Sequence, residues 1–227
     1  LNQHNILLGV VGATLFKIQG EARKSLQSYN NFEDSFQNLS ALTGLTGDSL
    51  EYLKQQAKDT STATLEGGVR IRQGATNILD AYTMIGSQRP ELLKNKEALH
   101  EVTVEAIILS EAAKMDIQPA AQALTNSLNQ FNAESSDARR YINVLAAGSQ
   151  AGAGNINYLS QAIEKSGTTA KLMGLNFEEL VALIETAAPN FKEAAVAGNS
   201  LDKVMLEMKA KQIGYRDGIF DVNVALD

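Results

Sequence analysis

The sequence contains no cysteine and no tryptophan. Without cysteine there is no disulfide framework, no thiolate metal site and no cysteine nucleophile. Histidine occurs twice, as His4 and His100. A histidine-based zinc site or a Ser-His-Asp triad would have to be built around a single imidazole. Aromatic residues make up 6% of the chain, a thin supply for stacking bases or sugars. Proline occurs only three times, so little stands in the way of helix. Positive charge is also scarce. Lys and Arg number 20 against 26 Asp and Glu, for a net charge of −6. That balance argues against neutralising the phosphates of duplex DNA.

What is present is helix-forming and apolar. The 227 residues are 44% hydrophobic and rich in alanine, enough for one large domain or two small ones with a real core. The start, Leu1-Asn2-Gln3-His4, has neither Met nor a basic leader, so the chain is expected to be a piece of something longer. Asn5 to Phe16 is uncharged but shorter than the ~20 residues that span a bilayer. Tyr141 to Ile163 is uncharged too, but it carries Asn143, Gln150, Asn155, Asn157 and Gln161, whose amides would be costly in hydrocarbon. Neither stretch is expected to cross a membrane.

Hydrophobic spacing organises the chain. Leu8, Val11, Leu15, Ile18, Ala22, Leu26, Tyr29, Phe32, Phe36 and Leu39 recur three and four apart, which predicts one long amphipathic helix. Its narrow seam needs a partner, inside the chain or on another copy. Thr43 to Gly47 reads as a turn. Asp48 with Glu51 suggests a capping box, and Leu50, Leu53 and Ala57 a short helix, with Asp59 to Thr64 as loop. Ile71, Ala75, Ile78, Tyr82 and Ile85 predict a helix ending at Gly86. Pro90 opens a short segment. Leu99 to Ala113 forms another seam. Pro119 marks a restart that runs to Phe131, and Ser135-Ser136-Asp137 caps a helix through Tyr141, Ile142 and Leu145. Gly148, Gly152 and Gly154 are expected to break that helix. Ile156, Leu159 and Ile163 resume it, and Asn176 with Glu179 caps Leu180 to Ala188, which Pro189 stops. Leu201, Val204, Met205 and Met208 carry a last helix. Gly214 to Asp227 suits either a strand or a helix.

No alternating run is long enough to build a sheet. The expected fold is all-α, a multi-helix bundle of about nine or ten helices with a long N-terminal helix. The division is residues 1–39 as connecting helix, 40–213 as core domain and 214–227 as a short terminal segment.

Reactive chemistry does not assemble from spacing. The run Gly148-Ser149-Gln150-Ala151-Gly152-Ala153-Gly154 lacks the Lys-Ser/Thr that ends a phosphate-binding P-loop and the buried strand that precedes a dinucleotide fingerprint, so an inter-helix loop is expected. The adjacent pairs Glu33-Asp34 and Glu178-Glu179 point about 100° apart on a helix and do not converge as an acid–base couple. Glu97 and His100 have the Glu-x-x-His spacing of di-iron bundles, but a second such motif is missing. Glu101 and Glu105 could chelate at i, i+4, though without a further His the set is weak. Arg70, Arg72, Arg139 and Arg140 are isolated basic spots. No catalytic residue, cofactor or metal ligand is expected.

Several segments in order are similar to one family. Phe32-Glu33-Asp34-Ser35-Phe36 is followed by Leu39-Ser40-Ala41-Leu42-Thr43-Gly44 and by the Leu50-x-x-Leu53-x-x-x-Ala57 helix. Ala120-Ala121 and Phe131, the break at Gly148, Met173-Gly174-Leu175-Asn176-Phe177-Glu178-Glu179-Leu180 and Ala197-Gly198-Asn199-Ser200-Leu201 come next. In order and spacing these resemble the core region of phage tail tape-measure proteins, over roughly residues 30 to 213. The chain departs from the pattern at Gly67-Gly68 with Arg70 and Arg72, and in the inserted connection from Gln88 to Lys96.

The resemblance implies a structural component of a bacteriophage or prophage tail. Such proteins set tail length inside the tube and take part in assembly and genome ejection. It marks Phe32, Glu33, Ala41, Leu42, Thr43, Gly44, Gly174, Glu178, Glu179 and Gly198 as structural signature residues. It implies the tail tube and the tail assembly chaperones as partners, and a virion location preceded by the host cytoplasm during assembly. Self-association is expected through Leu8, Val11, Leu15 and Ile18. The competing readings are a non-enzymatic cytoplasmic adaptor or signalling bundle, and a wall-degrading enzyme for which no catalytic constellation is found.

Overall fold

The structure is a computed structural model. It describes the backbone of residues 3–64, 68, 70–152, 154–216 and 219–220, and side chains from residue 21 onward except at 22, 216, 219 and 220. Nine α-helices lie among the described residues: α1 Gln3–Thr43, α2 Gly47–Thr62, α3 Ala75–Gln88, α4 Lys96–Ala113, α5 Ile117–Phe131, α6 Ala138–Ala151, α7 Ile156–Met173, α8 Phe177–Ala187 and α9 Ala194–Lys211. Short 3-10 turns occupy Pro90–Lys94, Ser135–Asp137 and Ala188–Asn190. A two-residue ladder, β1 Tyr215–Arg216 against β2 Ile219–Phe220, follows α9. The start of the ambiguous tail therefore pairs as a short antiparallel ladder, and 217–218 and 221–227 lie outside the described residues. The all-α expectation holds.

The helices stack in two rows. The principal packings join α1 to α3, α3 to α5, α5 to α7 and α7 to α9 along one row, and α2 to α4, α4 to α6 and α6 to α8 along the other. Sequential neighbours link the rows, and α7 against α9 is the most extensive contact. Each helix thus packs on others one or two places away in the chain, the nearest-neighbour logic of helical repeat arrays. The core between the rows is built from Leu53, Ile78, Tyr82, Leu99, Ile107, Leu124, Leu159 and Phe177, all fully buried. Each large apolar side chain so placed contributes roughly 1.5–3 kcal/mol before the entropy cost.

The C-terminal end of helix α1 packs into the body. Leu26 and Tyr29 are each 63% exposed, whereas Phe32 is 9% exposed and Leu39 is fully covered. The apolar seam read from the sequence is continuous, and among its described side chains cover by the chain itself begins at Phe32. The 39/40 division falls inside this helix. The seam residues Leu8, Val11, Leu15 and Ile18 lie on α1, with their side chains outside the described set.

Local expectations need five corrections. Asp59 to Thr62 is helical, the last turn of α2, because Thr60 is buried there and Gln55 bonds Asp59 one turn on. Gly86 is not a helix end. It lies inside α3 under Leu93, whose Cδ2 would stand 2.5 Å from any Cβ at that position. Gly148 does not break α6, which runs on to Ala151; the glycine is needed because Val181 Cγ1 sits 2.6 Å from where a Cβ would be. Asp48 caps nothing: Thr46 holds the N-cap position of α2 without a side-chain bond, and Asp48 lies in the first turn, where its charge favours the helix dipole. Ahead of α6, the Glu134 and Asp137 side chains form the box, one residue earlier than the serines suggested.

Candidate functional site

The signature positions fall at three junctions. At the first, α1 turns into α2. Thr43 Oγ1 donates to the Leu39 carbonyl, and the Ser40 hydroxyl donates to the Leu45 carbonyl at 2.9 Å. Gly44 takes φ +72°, a left-handed conformation that costs other residues about 1–2 kcal/mol. The turn sets α2 beside α1. There Lys54 Nζ lies 3.1 Å from the Glu33 carboxylate and 3.9 Å above the Phe36 ring, and Lys58 Nζ lies 5.1 Å from the Phe32 ring centroid. Each such cation–ring contact is worth about 0.5–1 kcal/mol at a partly exposed site. Ala41 and Leu42 face solvent on this turn.

At the second junction Gly174 closes α7 with φ +90°. Asn176 then opens α8 with a complete capping box: its Oδ1 accepts from Glu179 N–H at 2.8 Å, and Glu179 Oε2 accepts from Asn176 N–H at 2.8 Å. Glu178 reaches across to Arg140 at 3.6 Å. At the third, Gly198 lets α9 close on α7. A Cβ there would meet the Ala162 carbonyl oxygen at 2.6 Å and its Cα at 2.9 Å. These residues shape turns, caps and close approaches.

The chemically suggestive groups are engaged elsewhere. Arg72 is bound at 2.6 Å by Glu111, whose other oxygen accepts the Arg72 backbone N–H at 2.8 Å. Arg139 pairs with Glu105 at 2.6 Å. The segment after α3 is anchored by Arg89, which is buried and donates to the Ala133 carbonyl and to Glu91. Among the described residues no group of three or more His, Asp or Glu is placed to hold a metal. None of their helices is long and apolar enough to cross a membrane.

His100 makes an internal contact instead. Its Nδ1 lies 2.7 Å from the hydroxyl of the fully buried Tyr82, and Tyr52 meets the ring edge-on. Burial lowers the His100 pKa, with Glu101 opposing. In the neutral Nε2–H tautomer, Tyr82 donates to Nδ1. The sign of the consequence follows from linkage. The unfolded chain binds a proton at His100 near pH 6.5 and the folded chain resists it, so this contribution to stability is complete above that pH and falls away below it. Urea unfolding between pH 7.5 and 5 is expected to show a drop that His100→Gln reduces. An equal drop in the variant would show that the imidazole has no part in it.

Between α6 and α8 lies an open groove of about 560 Å³. Val144, Ala147, Gly148 and Ala151 line one wall, and Glu178, Val181, Ala182 and Glu185 the other. Glu185 explains the glycine run. Its Oε2 accepts Gly154 N–H at 3.2 Å and would stand 1.4 Å from a Cβ on Gly152. A carboxylate therefore sits where a phosphate cradle would need donors free, but the loop expected over Gly148 to Gly154 is shorter than the sequence suggests, since 148–151 are the last turn of α6. The groove was not anticipated from the sequence. The signal was there in the i, i+3, i+4, i+7 spacing of Glu178, Val181, Ala182 and Glu185.

The described residues therefore form an all-α helical stack, held by turns, caps and close helix contacts. Comparison with known proteins gives the family. The chain belongs to the phage-related minor tail protein family, whose model matches residues 54–223. It is also 25% identical over 193 residues to the tape measure protein of Pneumococcus phage Dp-1, an alignment that takes in 85% of this chain and 16% of that protein. The chain thus spans 16% of the length of the curated relative it matches. The resemblance to tail tape-measure proteins drawn from the sequence is borne out. No solved structure matches the chain.

Proposed function

We propose that this chain is a folded, non-catalytic segment of a tape-measure protein. In this reading it acts inside the phage tail tube, in setting tail length, in tail assembly and in genome ejection. Residues 1–39 serve as a connecting helix and 40–213 as the body. The tail tube and the tail assembly chaperones are its partners, first in the host cytoplasm and then in the virion. The family match over 54–223 carries this reading. Helix α1 supports it physically. A continuous helix of 41 residues converts chain length into distance at about 1.5 Å per residue, and on its seam Leu26 and Tyr29 stand uncovered.

A second copy of the seam is the natural cover for that stripe. Light scattering of the wild-type chain at high concentration is expected to give a multimer mass, and Val11→Glu with Leu15→Glu a monomer. Phage carrying the double variant are expected to show tails of abnormal length or no tails by electron microscopy. Identical monomer masses for both forms would remove the self-association. Tails of normal length from phage lacking this chain altogether would remove the tail function.

A further inference from the structure

We infer that the α6–α8 groove is a docking site for a basic amphipathic helix of a partner protein. It is a surface distinct from the α1 seam, and the inference does not depend on the tape-measure reading. Both walls are helical, and both present residues at i, i+3, i+4 and i+7, the spacing that a third helix needs to lay its own ridge between them. The floor is small where α8 does not already press on it: Ala147, Ala151 and Ala182 carry only a methyl group, so an incoming backbone can come close.

Charge selects the occupant. Glu178 and Glu185 lie seven residues apart on one wall, about 10 Å along the axis of α8, with apolar Val181 and Ala182 between them. Arg140 answers Glu178 only at 3.6 Å, with both side chains half exposed. Glu185 Oε2 accepts the neutral Gly154 N–H, and among the described residues no Lys or Arg pairs with this carboxylate at the groove wall. A helix with two basic side chains two turns apart, flanking small or aliphatic residues, would meet both carboxylates and fill the floor between them. An acidic or purely apolar helix would leave the carboxylates unanswered.

The test uses the full chain and a designed probe. The probe is a fluorescein-labelled helical peptide with Lys at positions 4 and 11 and Leu and Ala at 7 and 8; its control carries Glu in place of both Lys. Fluorescence anisotropy is expected to show saturable binding of the Lys peptide, at least tenfold tighter than that of the Glu peptide. Glu178→Gln with Glu185→Gln is expected to weaken it at least tenfold. Ala182→Tyr, which fills the groove from an exposed position, is expected to abolish it. Circular dichroism melts check that each variant folds, and Glu178→Gln alone, at a half-exposed site, is the variant that tests charge if the double variant does not. Equal binding of the two peptides, unchanged binding by Ala182→Tyr, or no saturable binding would each overturn the inference.

Discussion

Replacing Phe177 with Ala is expected to remove about 3–5 kcal/mol of stability. The ring is fully buried at the first position of α8, immediately after the Asn176 cap. It stacks on Tyr141 with centroids 4.1 Å apart and planes within 16°, and it meets Phe131 edge-on at 5.4 Å. One side chain therefore ties together the end of α5, the start of α6 and the start of α8. Area burial accounts for most of the effect, and the two ring contacts add about 0.5–1.5 kcal/mol each. Truncation would leave a void that the rigid, capped N-terminus of α8 cannot collapse into. Urea denaturation of wild type, Phe177→Ala and Phe177→Leu measures it. The Leu variant is expected to recover part of the loss by refilling the space. A loss under 1 kcal/mol for Phe177→Ala would show that the aromatic trio is not a keystone of the body.

The second large effect is expected at Gly198. An alanine in a helix interior ordinarily gains about 1 kcal/mol over glycine. Here the added methyl would stand 2.6 Å from a backbone oxygen and 2.9 Å from a backbone carbon of Ala162. Neither is the free end of a flexible side chain, so α9 must move away from α7, along the most extensive helix contact in the molecule. The sign of the substitution is therefore reversed. Gly198→Ala is expected to cost about 1–3 kcal/mol, as overpacking does, and Gly198→Val more. Hydrogen exchange is expected to quicken in α9 first. Asn199→Ala, on the exposed side of the same turn, is expected to be nearly neutral. A Gly198→Ala protein as stable as the wild type would mean that the two backbones do not touch in solution.

Much of the fold could be read from the sequence because helices announce themselves by periodicity. The seam from Leu8 to Leu39, the Asn176–Glu179 box and the turn at Gly44 all depend on local chemistry, and local chemistry is written in neighbouring residues. What misled were the glycines. Gly86 and Gly148 look like breakers in sequence, but each is a place where another element presses on a helix that continues, and that pressure comes from Leu93 and Val181. The groove was hidden for the same reason. Glu185 and Gly152 are 33 positions apart in the chain and meet only because α6 and α8 are neighbours in one row. The ion pairs of Glu111 with Arg72 and Glu105 with Arg139 likewise join residues that no spacing rule connects.

The two-row stack has a mechanical corollary. Because α1 stands at one end of it and α9 at the other, a pull applied through the chain loads a terminal helix first, not the whole core at once. The α9–α7 zipper and the α1–α3 zipper can be peeled in turn while the middle stays intact. A body built this way can be drawn out through a narrow bore as a thread, one helix following the next, at a far lower peak force than a closed bundle that must burst as a unit.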